Sequence, residues 1–330
     1  MYKRDVLLPY AGFNTIFRAP QGDFIDLKPG DVAVVGVPWD ITGLSRQGTR
    51  FGPAAIRQTS SVLSTWFEND APTDDLINLD TGLIIKTTYK ARLLDLGDLN
   101  LYPTDIQKTS RSISDGVAEI VRKSAFPVIL GGDHYITYPA FRGVAEALGE
   151  RGKKPRLGYL QLDAHFDLER DNTLMGKYNN GTMARRISEM AEIRPENMVW
   201  VGPRGYAVKE NIDWANSNGA TFITALEVAR RGIKESITRA IEAASKGTDG
   251  IYITIDIDVV DPTMAPGNGA IAFGGITPME LLEAVELLKE APAVAFDIVE
   301  VAPKFDPTGV TERLAAQAVL NFVAPRVFAD

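Results

Sequence analysis

Residues 158–167 read GYLQLDAHFD, a largely apolar run that passes straight into Asp163, His165 and Asp167. The first half has the character of a buried strand. While a chain stays extended its side chains alternate between faces, so these three would point the same way. Three ligand-type side chains on one face of a strand end look like a metal cradle, not a folding device.

Outward from this stretch, strand and helix patterns alternate. Val32–Val37 is an apolar β-branched run closed by Gly36 and Pro38. Further strands are expected at Arg92–Leu96, Pro127–Leu130, Met198–Val201, Ala220–Ile223, Ile251–Asp256 and Ala293–Val299. Pro53 opens a helix carrying Ile56, Val62 and Leu63, and Thr104 with Gln107 forms a capping box for a helix bearing Ile106, Ile113, Val117, Ile120 and Val121. Helices are also expected at Pro139–Leu148, from Met183, and at Val208–Asn218, Ile233–Ala244 and Thr308–Phe322. Thr277, Pro278 and Glu280 give a cap, a first-turn proline and a capping-box glutamate ahead of the stripe Leu281, Leu282, Val285 and Leu288. The segments Trp39–Arg50 and Glu169–Thr182 are polar loops. Doubly buried strands alternating with helices imply an α/β fold, a parallel sheet covered on both faces. With no repeat, low-complexity tract or linker, residues 1–330 read as a single catalytic domain.

The totals narrow the function. The chain has 330 residues, 45% hydrophobic and 24% charged, with a formal net charge of −8, the profile of a soluble globular protein. The acidic balance argues against nucleic acid or an anionic membrane as partner. No apolar stretch is long enough to span a bilayer, and the N-terminal apolar run is too short for a signal-peptide core. The absence of cysteine excludes disulfides and thiolate chemistry and fits a cytoplasmic protein. With only His134 and His165 as imidazoles, any metal must be held chiefly by carboxylates.

The polar clusters lie where a parallel sheet binds ligands, beyond the carboxyl ends of strands. Asp133–His134, Asp163–Asp167, Asp256–Asp258 and Glu300 each end an expected strand. His134, Asp163, His165, Asp167, Asp256 and Asp258 are two imidazoles and four carboxylates. Without cations, four adjacent carboxylates would cost several kcal/mol in repulsion and desolvation. Two divalent cations resolve this. An O/N ligand set without thiolate suits Mn²⁺ best, with Ni²⁺, Co²⁺, Zn²⁺ or Fe²⁺ as alternatives. Such a pair can share and acidify a water, giving a nucleophile near neutral pH. A lone D-x-H-x-D is often a surface loop, but three such clusters at strand ends are not.

G-G-D-H at 131–134, D-A-H-F-D at 163–167 and D-I-D-V-V-D-P at 256–262 resemble the three signatures of the ureohydrolase (arginase/agmatinase) family. The stretches 36–40 (GVPWD), 48–57 (GTRFGPAAIR) and 300–303 (EVAP) look like agmatinase-branch segments. The resemblance implies a three-layer α/β/α fold with a mostly parallel central sheet. It implies that Asp163 and Asp256 bridge two ions, that His134 and Asp167 complete one site, and that His165 and Asp258 complete the other. It further implies that Asp167 holds the attacking hydroxide and that Glu300 accepts a guanidinium or amidinium. An amine and urea would be the products, and a homo-trimer or hexamer the assembly.

Two places depart from the family. Similar enzymes carry a histidine, in H-G-T, thought to pass a proton to the leaving amine; Asn180 occupies that place, followed by Gly181 and Thr182. An amide cannot titrate near neutrality, though it can orient a substrate. Where relatives carry T-G-T-P along the substrate pocket, this chain has Asn268, Gly269, Ala270 and Ile271, a less polar wall. Three functions follow. The first is hydrolysis of agmatine or a guanidino acid. The second is hydrolysis of a less usual amidine: an N-substituted guanidine, a biguanide or a formimino compound. The third is a catalytically weak metal-binding subunit that supports a paralogous partner.

Overall fold

The β-branched run Val32–Val37 forms a strand, β1, buried at all six positions. Val32 and Val34 enter one apolar core, while Ala33, Val35 and Val37 enter another. Period-two alternation demands this split, and a strand buried on both faces needs helices above and below. The computed structural model describes residues 12–43, 46–63, 67–68, 71–72, 75–80, 82, 84–85 and 90–328. The reading of the extreme N-terminus falls on residues 1–11, outside the described ones.

The other strands of the sheet are β2 (Leu93–Asp98), β3 (Phe126–Gly131), β4 (Leu157–Leu162), β5 (Ile193–Val201), β6 (Thr221–Ile223), β7 (Gly250–Asp256) and β8 (Ala293–Val299). Their order is β6-β5-β4-β7-β8-β3-β1-β2. Every pairing is parallel. The helices are α1 (Gly52–Leu63), α2 (Ile106–Arg122), α3 (Thr137–Gly149), α4 (Met183–Ser188), α5 (Lys209–Ser217), α6 (Ala225–Arg231), α7 (Ile233–Ser245), α8 (Pro278–Leu288) and α9 (Val310–Val327). Apolar side chains of α1, α6, α7, α8 and α9 fill the core on one face of the sheet; those of α2, α3, α4 and α5 pack on the other. Phe296 of β8 and Phe322 of α9 stack with centroids 4.2 Å apart and fix one such contact.

This architecture places β4, β7, β8 and β3 side by side in mid-sheet. They are the four strands that the sequence reading ends in polar clusters, so topology alone gathers those clusters on one rim.

Several boundaries differ from expectation. The cap of α2 is Asp105, not Thr104: its carboxylate, a stronger acceptor than a hydroxyl, takes the Lys108 amide. The strand ahead of Val201 begins at Ile193 rather than Met198. The last helix spans Val310–Val327, not Thr308–Phe322, because Asp306 gathers the turn before it and Pro325 is tolerated close to its end. Helix α6 was not anticipated, although Thr224 and Glu227 make a capping box at its start. Nor were two antiparallel two-residue pairings, Phe67–Glu68 with Ala71–Pro72 and Leu76–Ile77 with Ile84–Ile85. No helix among the described residues is long and apolar enough to cross a membrane.

Candidate metal centre

Glycine makes the floor of the site. A Cβ on Gly132 would lie 1.7 Å from the Trp39 carbonyl oxygen, and one on Gly131 would lie 2.5 Å from Val299 Cγ1. With no Cβ there, β1, β3 and β8 are laced together at their ends. Gly132 N–H donates to Val37 O (2.9 Å), Asp133 N–H to Trp39 O (2.6 Å) and Glu300 N–H to Gly132 O (2.8 Å). His134 follows at once, and its own N–H donates to Glu300 Oε1 at 2.9 Å.

Strand alternation does not deliver Asp163, His165 and Asp167 as expected. Strand β4 stops at Leu162, and the chain then turns. Asp163 Oδ1 accepts the His165 N–H, and Asp167 sits at φ +49°. Glu300 likewise has φ +63°. A left-handed backbone costs a non-glycine residue about 1 kcal/mol or more, and such strain collects at functional sites.

The turn nevertheless brings the ligand atoms together. His134 Nδ1 lies 2.9 Å from Asp163 Oδ2, 3.0 Å from Asp167 Oδ2 and 3.3 Å from Asp256 Oδ2. His165 Nδ1 lies 3.4 Å from Asp163 Oδ1 and 3.1 Å from Asp258 Oδ2. His134, Asp163 and Asp167 form one group able to hold a metal, and Asp163, His165 and Asp258 a second. The two share Asp163.

The fit to a cation shows at His134. Its Nδ1 is buried and aligned for a hydrogen bond with none of its three carboxylate neighbours. The nitrogen thus faces the space among the oxygens, as a ligand to a shared cation does. The other ring nitrogen, Nε2, is 3.0 Å from Thr254 Oγ1, the outer contact that metal-bound imidazoles generally make.

Electrostatics point the same way. Burial, reinforced by Asp258 and Asp163, pushes the Asp256 carboxyl well above its usual range. Burial and the Asp163 charge raise Asp167 to about 6. Burial would lower His165, yet Asp258 and Asp163 drive it up to about 12. Burial would raise Asp163, but the two imidazoles beside it hold it below the ordinary carboxylate range. Carboxylates and imidazoles so disturbed are the pattern a divalent cation relieves.

Glu300 and Asn180 meet beside this cluster. Asn180 Nδ2 donates to Glu300 Oε1 at 3.4 Å, and the Asn180 N–H reaches Thr42 O at 3.3 Å. Thr42 is itself pinned by the buried Asp133, whose Oδ2 accepts the Thr42 hydroxyl at 2.6 Å. Burial, with Asp133 nearby, raises Glu300 to about 8. Asn268 is buried and donates its side-chain amide N–H to Ala265 O (2.9 Å). Ala270 is half-buried, and the segment is tied to the rim by the Ala302 N–H on Gly267 O (2.7 Å).

The sequence reading overlooked polar groups inside the strands. Gln161 Nε2 donates to Asp163 Oδ2 at 2.6 Å and its Oε1 accepts the Tyr159 hydroxyl at 2.8 Å. Thr254 and Asp297 are also fully buried. Their signal was a polar residue within an otherwise apolar strand, since burying one without a partner is costly.

A family model described as the arginase family matches residues 30–324. Proclavaminate amidinohydrolase of Streptomyces clavuligerus is 33% identical over 93% of this chain and 91% of its own. Its solved structure superposes with a TM-score of 0.79 at 30% identity, covering 97% of this chain and 99% of that one. Guanidinopropionase of Pseudomonas aeruginosa is 30% identical over 95% of this chain and 92% of its own. Formimidoylglutamase of Halalkalibacterium halodurans is 31% identical over 88% and 85%, respectively.

Proposed function

The chain belongs to the arginase family and is a hydrolase of C–N bonds, and from that premise we propose that it uses two divalent cations to cleave a small guanidino compound into an amine and urea. The observation that carries the proposal is the pair of ligand groups joined through Asp163. His134, Asp163, Asp167 and Asp256 would hold one ion, and Asp163, Asp256, His165 and Asp258 the other. Mn²⁺ suits these donors best, with Ni²⁺ and Co²⁺ as alternatives. Bound cations supply Lewis acidity and a water acidified for attack near neutral pH.

The chain's own residues do the rest. Glu300, buried with a raised pKa, needs a cationic partner to stay ionised; a guanidinium or amidinium provides one. Asp167, in its left-handed conformation, directs a carboxylate at the reacting centre and accepts a hydrogen bond there. Asn180 donates toward Glu300 and orients the substrate without exchanging a proton. Asn268 and Ala270 form a less polar wall beyond.

That amide supports a second reading, an amidine substrate such as a formimino compound, because the leaving group then has to be protonated without a titratable side chain at position 180. Release of urea, formamide and free amine from the metal-loaded protein, measured over guanidines, biguanides and formimino compounds, separates the readings. Urea from a guanidino acid or agmatine supports the first, and formamide from a formimino compound, or an amine without urea from a biguanide, the second. Silence across the panel with two ions bound would overturn both and favour a supporting subunit.

A further inference from the structure

Behind His134 a line of buried hydroxyls ends on a carboxylate. His134 Nε2 lies 3.0 Å from Thr254 Oγ1. The Thr254 hydroxyl is in turn 3.5 Å from Thr137 Oγ1. Thr137 Oγ1 and the Tyr252 hydroxyl donate to Asp297 Oδ2 at 2.8 and 2.6 Å. His134, Thr254, Thr137, Tyr252 and Asp297 are all fully buried.

An ionised carboxylate only accepts hydrogen bonds, so the hydroxyls around Asp297 all turn their protons toward it. Thr137, having given its proton to Asp297, can only accept from Thr254, which is left with lone pairs for His134. The proton between Thr254 and His134 must then sit on Nε2, so that the neutral ring presents an unprotonated Nδ1 to the carboxylate cluster. We propose that Asp297 is a positioning residue that fixes the tautomer of His134 through Thr137 and Thr254 and thereby prepares one of the two ion positions. The inference rests on the binuclear reading above.

The device serves one position only. The His165 side chain is 41% exposed against 0% for His134, and no described residue hydrogen-bonds its Nε2. Replacing Asp297 by its isosteric amide supplies N–H donors where only acceptors stood. Thr137 can then accept from the amide and donate to Thr254, which donates to His134 Nε2 and places the ring proton on Nδ1, where a cation would sit.

The chain's two histidines make the test direct. Imidazole nitrogen NMR of the Zn²⁺-loaded protein reports both tautomers, and chelator competition counts the ions held. The wild type is expected to hold two ions with the His134 proton on Nε2. Asp297→Asn and Thr254→Val should each release the His134-side ion about 10- to 100-fold more readily, leave the His165 signals in place, and keep the wild-type circular dichroism. Thr254→Ser, which retains the hydroxyl, should behave as wild type. Two ions held at wild-type affinity in both Asp297→Asn and Thr254→Val would overturn the proposal. So would equal loss of both ions, which marks damage to the sheet. If Asp297→Asn does not fold, Thr254→Val against Thr254→Ser decides. Wild-type protein that binds no ion would sink the metal reading itself, a failure visible before any variant is made.

Discussion

Asp163 is the residue both ligand groups depend on, with one carboxylate oxygen 2.9 Å from His134 Nδ1 and the other 3.4 Å from His165 Nδ1. Its supports are buried too, and the Gln161 amide at 2.6 Å fixes the carboxylate plane. Asp258 touches only the His165 side. Single substitutions should therefore differ in kind. Asp163→Ala is expected to lose both ions and at least a thousandfold in turnover, on the order of 4 kcal/mol in the barrier. Asp258→Ala should keep one ion, on the His134 side. Metal analysis of the desalted variants checks this, and two ions retained by Asp163→Ala would remove it from its shared role.

Helix α9 closes the fold, and a single carboxylate organises its start. Asp306 Oδ1 accepts the Thr308 and Gly309 N–H groups at 3.0 and 3.1 Å, while Oδ2 accepts the Thr311 N–H at 2.7 Å. Burial would raise the Asp306 pKa, but bonds from Thr308 and Thr311 win and lower it. A carboxyl depressed in the folded state stabilises above its unfolded value, near 4, and loses that contribution as pH falls through the folded value. Asp306→Ala should thus cost about 1–2 kcal/mol near pH 7 and less below about pH 4. Urea unfolding of chelator-treated protein at both pH values reads the difference, and a cost that does not shrink in acid would mean packing, not charge. The same helix shows where sequence legibility ends. Alternation at Val32–Val37 and the cap at Thr277 are local signals, and both elements form as expected. The start of α9 is set by Asp306, outside the helix, and its length by burial down to Val327. Likewise the metal-type residues were legible by type and position, whereas the turn that joins them, with Asp167 and Glu300 left-handed, is imposed by neighbouring strands. Thr254 and Asp297 stood in plain view inside apolar strands, but their meaning depends on β7 and β8 being neighbours.

At the scale of the molecule, an acidic chain of net charge −8 gathers four carboxylates on one rim of its sheet, at the ends of its middle strands. Holding them without cations works against folding, and a bound ion stabilises only the folded form. Stripping with a chelator should lower the melting temperature and reloading should restore it. At ion concentrations about 100 times the dissociation constant, the gain is about 2.7 kcal/mol per site; an unchanged melting temperature would mean that no ion binds the folded state. The position of β4, β7, β8 and β3 in mid-sheet ties this binding to hydrolysis, because the same rim holds Glu300. The most direct test follows amidine or guanidine hydrolysis while Mn²⁺ is titrated into stripped protein and the bound ions are counted. The expected result is negligible turnover without metal, rising to its full value as the second ion binds. Full turnover in the stripped protein, or none at two ions per chain, would contradict a binuclear hydrolase built on Asp163.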